Sequence, residues 1–156
     1  MAELRSLDEL SQSLVRAADL IDAELEIYLK HLMNAVVTRA RNALGDYHAA
    51  FGPFNAWAPL KESTKRIRVE MGYTPNDPLL RSGAMHDATY GILQNDGAGR
   101  WTVTVGSTAD YAWRQELGDG KITPRPFLGP ALLYECEHIE DELSELVYRC
   151  FVEAFE

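Results

Sequence analysis

Chemistry-bearing motifs are scarce in this chain. Its two cysteines, Cys136 and Cys150, form no Cys-x-x-Cys pair, and the four histidines stand apart at 31, 48, 86 and 138. There is no glycine-rich phosphate loop and no His-Glu-x-x-His zinc pair. Read as one C-terminal helix, the two cysteines lie about 21 Å apart at 1.5 Å per residue, beyond disulfide reach; the expectation is two reduced, semi-buried thiols. No apolar run approaches membrane-spanning length, and the opening Met1-Ala2-Glu3-Leu4 has no signal-peptide pattern, so a soluble protein made in the cytosol is expected. Cations are outnumbered as well. Fifteen Lys and Arg against 24 Asp and Glu leave a net charge of −9, which gives non-specific nucleic-acid binding no support from the chain as a whole.

The 156 residues carry 46% hydrophobic and 25% charged side chains, the composition of one globular domain. The acid is concentrated late: Glu135, Glu137, Glu140, Asp141, Glu142, Glu145, Glu153 and Glu156 face a single Arg149. A solvated helix face explains such a run. The sharper alternative is a surface that meets a basic partner or orients subunits in a ring.

Periodicity gives the elements. Leu7, Leu10, Leu14, Ala17, Ile21, Leu25, Tyr28, Leu32 and Ala35 step by three or four, predicting a helix over 7–44 with Ser6 as its cap and Gly45 beyond its end. At roughly 50 Å such a helix outruns a domain of this size, so either it breaks near 31–34 or part of its stripe awaits another chain. A central part, 50–128, begins with a turn-rich aromatic stretch, a short helix at 61–70 carrying Lys61, Lys65, Arg66 and Arg68, and a loop over Thr74–Asp77. Residues 87–95 and 100–107 predict a hairpin: Trp101, Val103 and Val105 alternate with Thr102 and Thr104, and Asn95-Asp96-Gly97-Ala98-Gly99 supplies turn residues. A short helix over 111–117 follows, then a turn, then a final helix over 129–155 with Leu132, Leu133, Cys136, Ile139, Leu143, Leu146, Val147 and Cys150 on one face. The fold class expected is α+β in a single domain: a long N-terminal helix, a small antiparallel sheet built on the hairpin, and a C-terminal helix.

Between the last two helices, three prolines fall within seven residues in Ile122-Thr123-Pro124-Arg125-Pro126-Phe127-Leu128-Gly129-Pro130. Each fixes φ and biases its predecessor toward extended backbone. The segment is expected to be a stiff arm presenting Arg125 and Phe127 to a neighbour, with Trp113 and Arg114 beside it; Pro124 and Pro126 complete the candidate interface. Of the aromatic set Phe54, Trp57, Trp101, Trp113 and Phe127, Trp101 is expected in the core between the hairpin and two helices, while for Trp113 and Phe127 a core place and an interface role are both open. Catalytic readings are weak. Asp110 and Glu116 are a conceivable carboxylate pair, but a separation of six puts them on different helix faces. His138 and Glu142 have metal-ligand spacing, which surface helices also carry by chance. An acidic helix holds thiols protonated.

In order along the chain, Trp57-Ala58-Pro59-Leu60 with Thr64, Leu80-Arg81-Ser82-Gly83, the hairpin closing on Val105-Gly106-Ser107, Tyr111-Ala112, Glu116-Leu117-Gly118 and Pro124-Arg125-Pro126-Phe127-Leu128 resemble the tail-completion, or neck, proteins of long-tailed bacteriophages. The resemblance covers roughly residues 55–135. It differs in the long N-terminal helix and in Trp113-Arg114-Gln115, where the family carries a smaller run, often with histidine. It implies structural roles for Trp57, Pro59, Leu80, Ser82, Gly83, Gly106, Tyr111 and Gly118. It further implies a virion subunit of the neck that completes the tail and joins it to the DNA-filled head, in a ring that is typically sixfold, with no catalysis and no cofactor or metal. The implied partners are copies of itself and neighbouring head-closure, tail-terminator or tail-tube proteins, with DNA passing through the lumen without specific binding and no membrane. Glu135, Glu142 and Glu145 would line that passage. Assembly would take place in the bacterial cytoplasm. The alternatives are a tail terminator or head-closure (stopper) protein of the same neck, an acidic inhibitor mimicking nucleic acid, and a small metal-dependent enzyme.

Overall fold

A computed structural model describes residues 6–156. Helix α1 (Leu7–Asn42) runs unbroken for 36 residues, about 54 Å, so the break near 31–34 does not occur. Nothing in that stretch interrupts it, since it has neither proline nor glycine. Ser6 caps it, its hydroxyl accepting the Glu9 N–H at 3.1 Å. Asp8 and Glu9 in the first turn and Arg39 and Arg41 in the last match the helix dipole.

Every larger element packs on this spine. The strands β1 (Thr89–Asn95) and β2 (Trp101–Ser107) pair antiparallel from Thr89↔Ser107 to Asn95↔Trp101, a two-stranded sheet lying along α1. Gly91 permits the approach: a Cβ there would come within 3.1 Å of Val37 and closer still to Met33. Arg41 donates to the Thr89 carbonyl at 2.6 Å, and the Trp101 indole donates to Asp22 at 2.9 Å. Trp101 is thus half-buried against α1 and hydrogen-bonded at its polar edge, rather than a core residue.

The C-terminal segment is two helices, α5 (Leu128–Glu135) and α6 (Ile139–Ala154), separated by a turn at Cys136–His138. Their shared apolar period had read as one helix. Helix α5 packs on α1, and α6 runs beside its N-terminal half, where Leu146, Cys150 and Ala154 bury against a stripe that includes Ala17. The Tyr28 hydroxyl donates to Glu142 at 2.7 Å across the two helices, and burial followed by this carboxylate raises its pKa. Both cysteines are free, and burial above all raises their pKa values, with Glu135 adding to the effect at Cys136 and Glu24 at Cys150.

The remaining short helices, α2 (Glu62–Glu70), α3 (Ala84–Ala88) and α4 (Ala112–Leu117), and their connections gather at the C-terminal end of α1. There the main core forms: Val36, Ala40 and Leu44 of α1 against Trp57, Met85, Ala112, Phe127 and Ala131. Leu79 adopts φ +62°, a strained conformation for a branched residue. It is bracketed by the Gly45 N–H on the Pro78 carbonyl at 2.9 Å and by Arg68 on the Leu80 carbonyl at 2.7 Å.

Candidate functional site: the locked arm and its basic cleft

The proline segment is as stiff as its composition requires, but it does not project. Phe127 is 1% exposed and belongs to the core. Arg125 is 8% exposed, its guanidinium donating to the carbonyls of Ala58 (2.8 Å) and Pro59 (3.4 Å). Both side chains are therefore corrected from interface to interior. The reason is local. A benzyl group left in water forgoes a stabilisation of about 1.5–3 kcal/mol, and the backbone of 57–60 offers carbonyls that the guanidinium satisfies in pairs. Pro126 is half-buried and its carbonyl accepts the Trp57 indole N–H at 3.1 Å. Pro124 is exposed but packs against Gly118.

Two features of α4 hold the arm down. The Arg125 N–H donates to the Gln115 carbonyl at 2.6 Å. Both oxygens of Glu116 are taken by the first turn of α5: Oε2 accepts from Phe127 (2.7 Å) and Leu128 (3.0 Å), and Oε1 accepts from Gly129 (2.8 Å). Those N–H groups are the orphan donors of a helix start, and a carboxylate is their best partner. Glu116 is a remote cap rather than half of an acid–base pair with Asp110. Gly118, at φ +74°, turns the chain back; a Cβ there would meet the Ile122 carbonyl oxygen at 2.9 Å. Asp119 closes the loop by accepting the N–H groups of Ile122 (2.8 Å) and Lys121 (3.0 Å).

Of the expected interface, Trp113 and Arg114 remain on the surface. Trp113 is 54% exposed with Arg114 over its ring at 5.3 Å, and Arg114 also reaches Asp119 at 3.9 Å. Leu117 lies exposed on the same helix.

The residues named by the resemblance converge. Trp57 is in the core, its ring edge-on to His48 at 4.7 Å. Leu80 packs on that core and on Gly45. Gly106 pairs with Tyr90 in the hairpin, under its ring. Pro59, Ser82, Gly83 and Tyr111 line one cleft of about 490 Å³ together with Arg125. Gly83 enters α3 at φ +82°, and the Ser82 hydroxyl accepts the Ala84 N–H at 3.4 Å.

Sequence order did not reveal the charge of that cleft. Lys61, Arg68, Arg81, Lys121 and Arg125 line it, and its described lining contains no aspartate or glutamate. Arg68 is 7% exposed and donates to the carbonyls of Thr74 and Leu80, both at 2.7 Å. Among the described residues none of the five is ion-paired. The rest of the cluster expected at 61–68 is neutralised locally, Lys65 by Glu62 at 2.8 Å and Arg66 by Glu70 at 3.8 Å.

A second groove, of about 770 Å³, runs between α1, residues 48–57 and α5. Its walls include Phe51, Phe54 and Trp57, and an ion pair of Arg39 with Glu135 crosses it, the Arg39 guanidinium lying 3.5 Å from the Tyr134 ring centre. Glu135 and Glu142 are therefore both engaged by α1, whereas Asp141 and Glu145 stand exposed one turn apart on α6. His138 sits exposed at the start of α6, and among the described residues no three His, Cys, Asp or Glu gather as a metal site. No described helix is long and apolar enough to cross a membrane.

The chain matches no family model, no curated protein and no solved structure.

Proposed function

We propose that this protein is a structural virion subunit of the neck of a long-tailed phage, acting in a closed ring that completes the tail and joins it to the DNA-filled head. The observation that carries this reading is the convergence of the resemblance residues. Motif pieces spread from Trp57 to Leu128 meet through the Trp57–Pro126 and Arg125–Ala58 hydrogen bonds, the Glu116 cap and the cleft lined by Pro59, Ser82, Gly83 and Tyr111.

The surface supports the same reading. Leu7 (84% exposed), Val15 (60%) and Ile27 (51%) on α1 and Tyr148 (69%) on α6 leave apolar area on the spine that subunit contacts would cover. The ring is proposed to be a hexamer. It meets head-closure, tail-terminator or tail-tube proteins above and below, and at net charge −9 it lets DNA pass without gripping its phosphates. It resides in the virion neck after assembly in the host cytoplasm.

The test is electron microscopy of lysates from a phage or prophage deleted for this gene. DNA-filled heads beside separate tails are the expected outcome. Normally joined particles would overturn the reading.

A further inference from the structure

We infer that the basic cleft is the receptor for the acidic face of α6 on a second copy of this chain, so that subunits join head to tail through charge. The inference rests on the ring reading above and supplies the two faces that pair.

Three observations carry it. The cleft is a concentration of cations without a counter-charge: Lys61, Arg81 and Lys121 are exposed at its rim, and Arg68 and Arg125 are buried in its walls with carbonyl oxygens as their described acceptors. Carbonyl dipoles satisfy hydrogen bonds but leave the net positive charge, in a recess that focuses the field. The same chain carries an exposed acidic counterpart in Glu140, Asp141 and Glu145, which lie away from the Leu146–Cys150 stripe that buries on α1.

Geometry then excludes pairing within one molecule. The start of α6 is fixed at Tyr28 by Glu142, whereas the cleft lies past the C-terminal end of α1, where Gly45 binds Pro78. The continuous helix from Tyr28 to Asn42 sets these regions roughly 21 Å apart. A rigid spine with a cation recess at one end and a carboxylate face farther along it can satisfy both only through neighbours. Such a heterologous contact closes into a ring when its rotation allows. On this arrangement Asp141 and Glu145 face a subunit interface, not the DNA passage.

Two charge-reversed variants test it, Lys61→Glu with Arg81→Glu, and Asp141→Lys with Glu145→Lys. All four positions are exposed, so each variant should fold, which circular dichroism melting checks. In sedimentation velocity the wild-type chain should self-associate at about 0.01 M salt, and the association should weaken at least about tenfold near 1 M, where the Debye length falls to about 3 Å. Each variant alone should be monomeric. Mixed, they should associate again, because the intact cleft of one meets the intact acidic face of the other and the two reversed faces are themselves of opposite sign. A wild type that stays monomeric at low salt, association that persists in either variant, or a mixture that fails to pair would overturn the inference. So would duplex DNA binding in the cleft, read by fluorescence anisotropy and lost in Lys61→Glu/Arg81→Glu, with self-association unchanged. None of these results alters what the deletion micrographs decide about the neck.

Discussion

Glu116 accepts the backbone N–H of Phe127 at 2.7 Å, and through that contact α4 fixes where α5 begins. With Leu128 and Gly129 sharing the same carboxylate, one side chain supplies three hydrogen bonds to a helix N-terminus that has no side-chain cap of its own. Replacing it with alanine strands those donors in a half-buried site. Hydrogen bonds to a charged group are worth about 1.5–3 kcal/mol, so Glu116→Ala should destabilise the chain by about 2–3 kcal/mol. Glu116→Gln, which keeps one acceptor oxygen and loses the charge, should fall between it and the wild type. Urea titrations of the three proteins measure the order, and equal midpoints would dissolve the cap.

The arm reverses a prediction that its composition invites. An extended Pro-Arg-Pro-Phe segment suggests that Phe127→Ala spares the subunit and harms assembly; with Phe127 at 1% exposure the subunit itself should suffer. Removing a fully buried phenyl costs about 3–5 kcal/mol, which lowers the thermal midpoint of a chain this size by roughly 10 °C. Arg125→Glu should be as damaging, since it sets a carboxylate against the Ala58 and Pro59 carbonyls. Calorimetric scans that left both midpoints within two or three degrees of wild type would return the pair to the surface.

These two residues also mark where the sequence stops being legible. The α1 stripe, the alternation through Trp101–Val105 and the stop at Gly118 are local consequences of period and turn chemistry, and they appear where expected. The direction in which a stiff segment faces depends on partners distant in the chain, Ala58 for Arg125 and Glu116 for the α5 start, and no local pattern encodes it. The turn at Cys136–His138 escaped for a related reason. It has no proline or glycine, and the apolar spacing from Leu132 through Ile139 continues across it, so only packing on α1 reveals two helices. The basic cleft was hidden because its five cations come from three separate chain segments.

Acid should loosen one loop before the rest. Asp119 sits below its ordinary value of 3.8 because the N–H groups of Ile122 and Lys121 donate to it. A carboxyl depressed in this way supports the fold above its unfolded value, and that support is lost as pH falls through the folded one. Between about pH 4 and lower values, amide exchange at Lys121 and Ile122 should therefore accelerate relative to the hairpin. Asp119→Asn should remove the acid dependence. An identical pH profile in the variant would assign the loosening to another group.

Trp113 is the interface expectation that the fold leaves standing. Its indole is 54% exposed beside Leu117 at 74%, and Arg114 rests over the ring instead of pairing deep in the protein. An exposed aromatic next to an exposed leucine on a helix clamped by Glu116 is preorganised for a partner, and aromatic anchors of this kind carry most of the energy at interfaces. Trp113→Ala should change the thermal midpoint by less than about 2 °C, because surface substitutions away from caps and cores stay within about 0.5 kcal/mol. Complementation of a gene-deleted phage should nonetheless fall, with free heads and tails accumulating. If titre is restored in full by the Trp113→Ala protein, α4 faces solvent in the virion and the contacts that join head to tail lie elsewhere on the subunit.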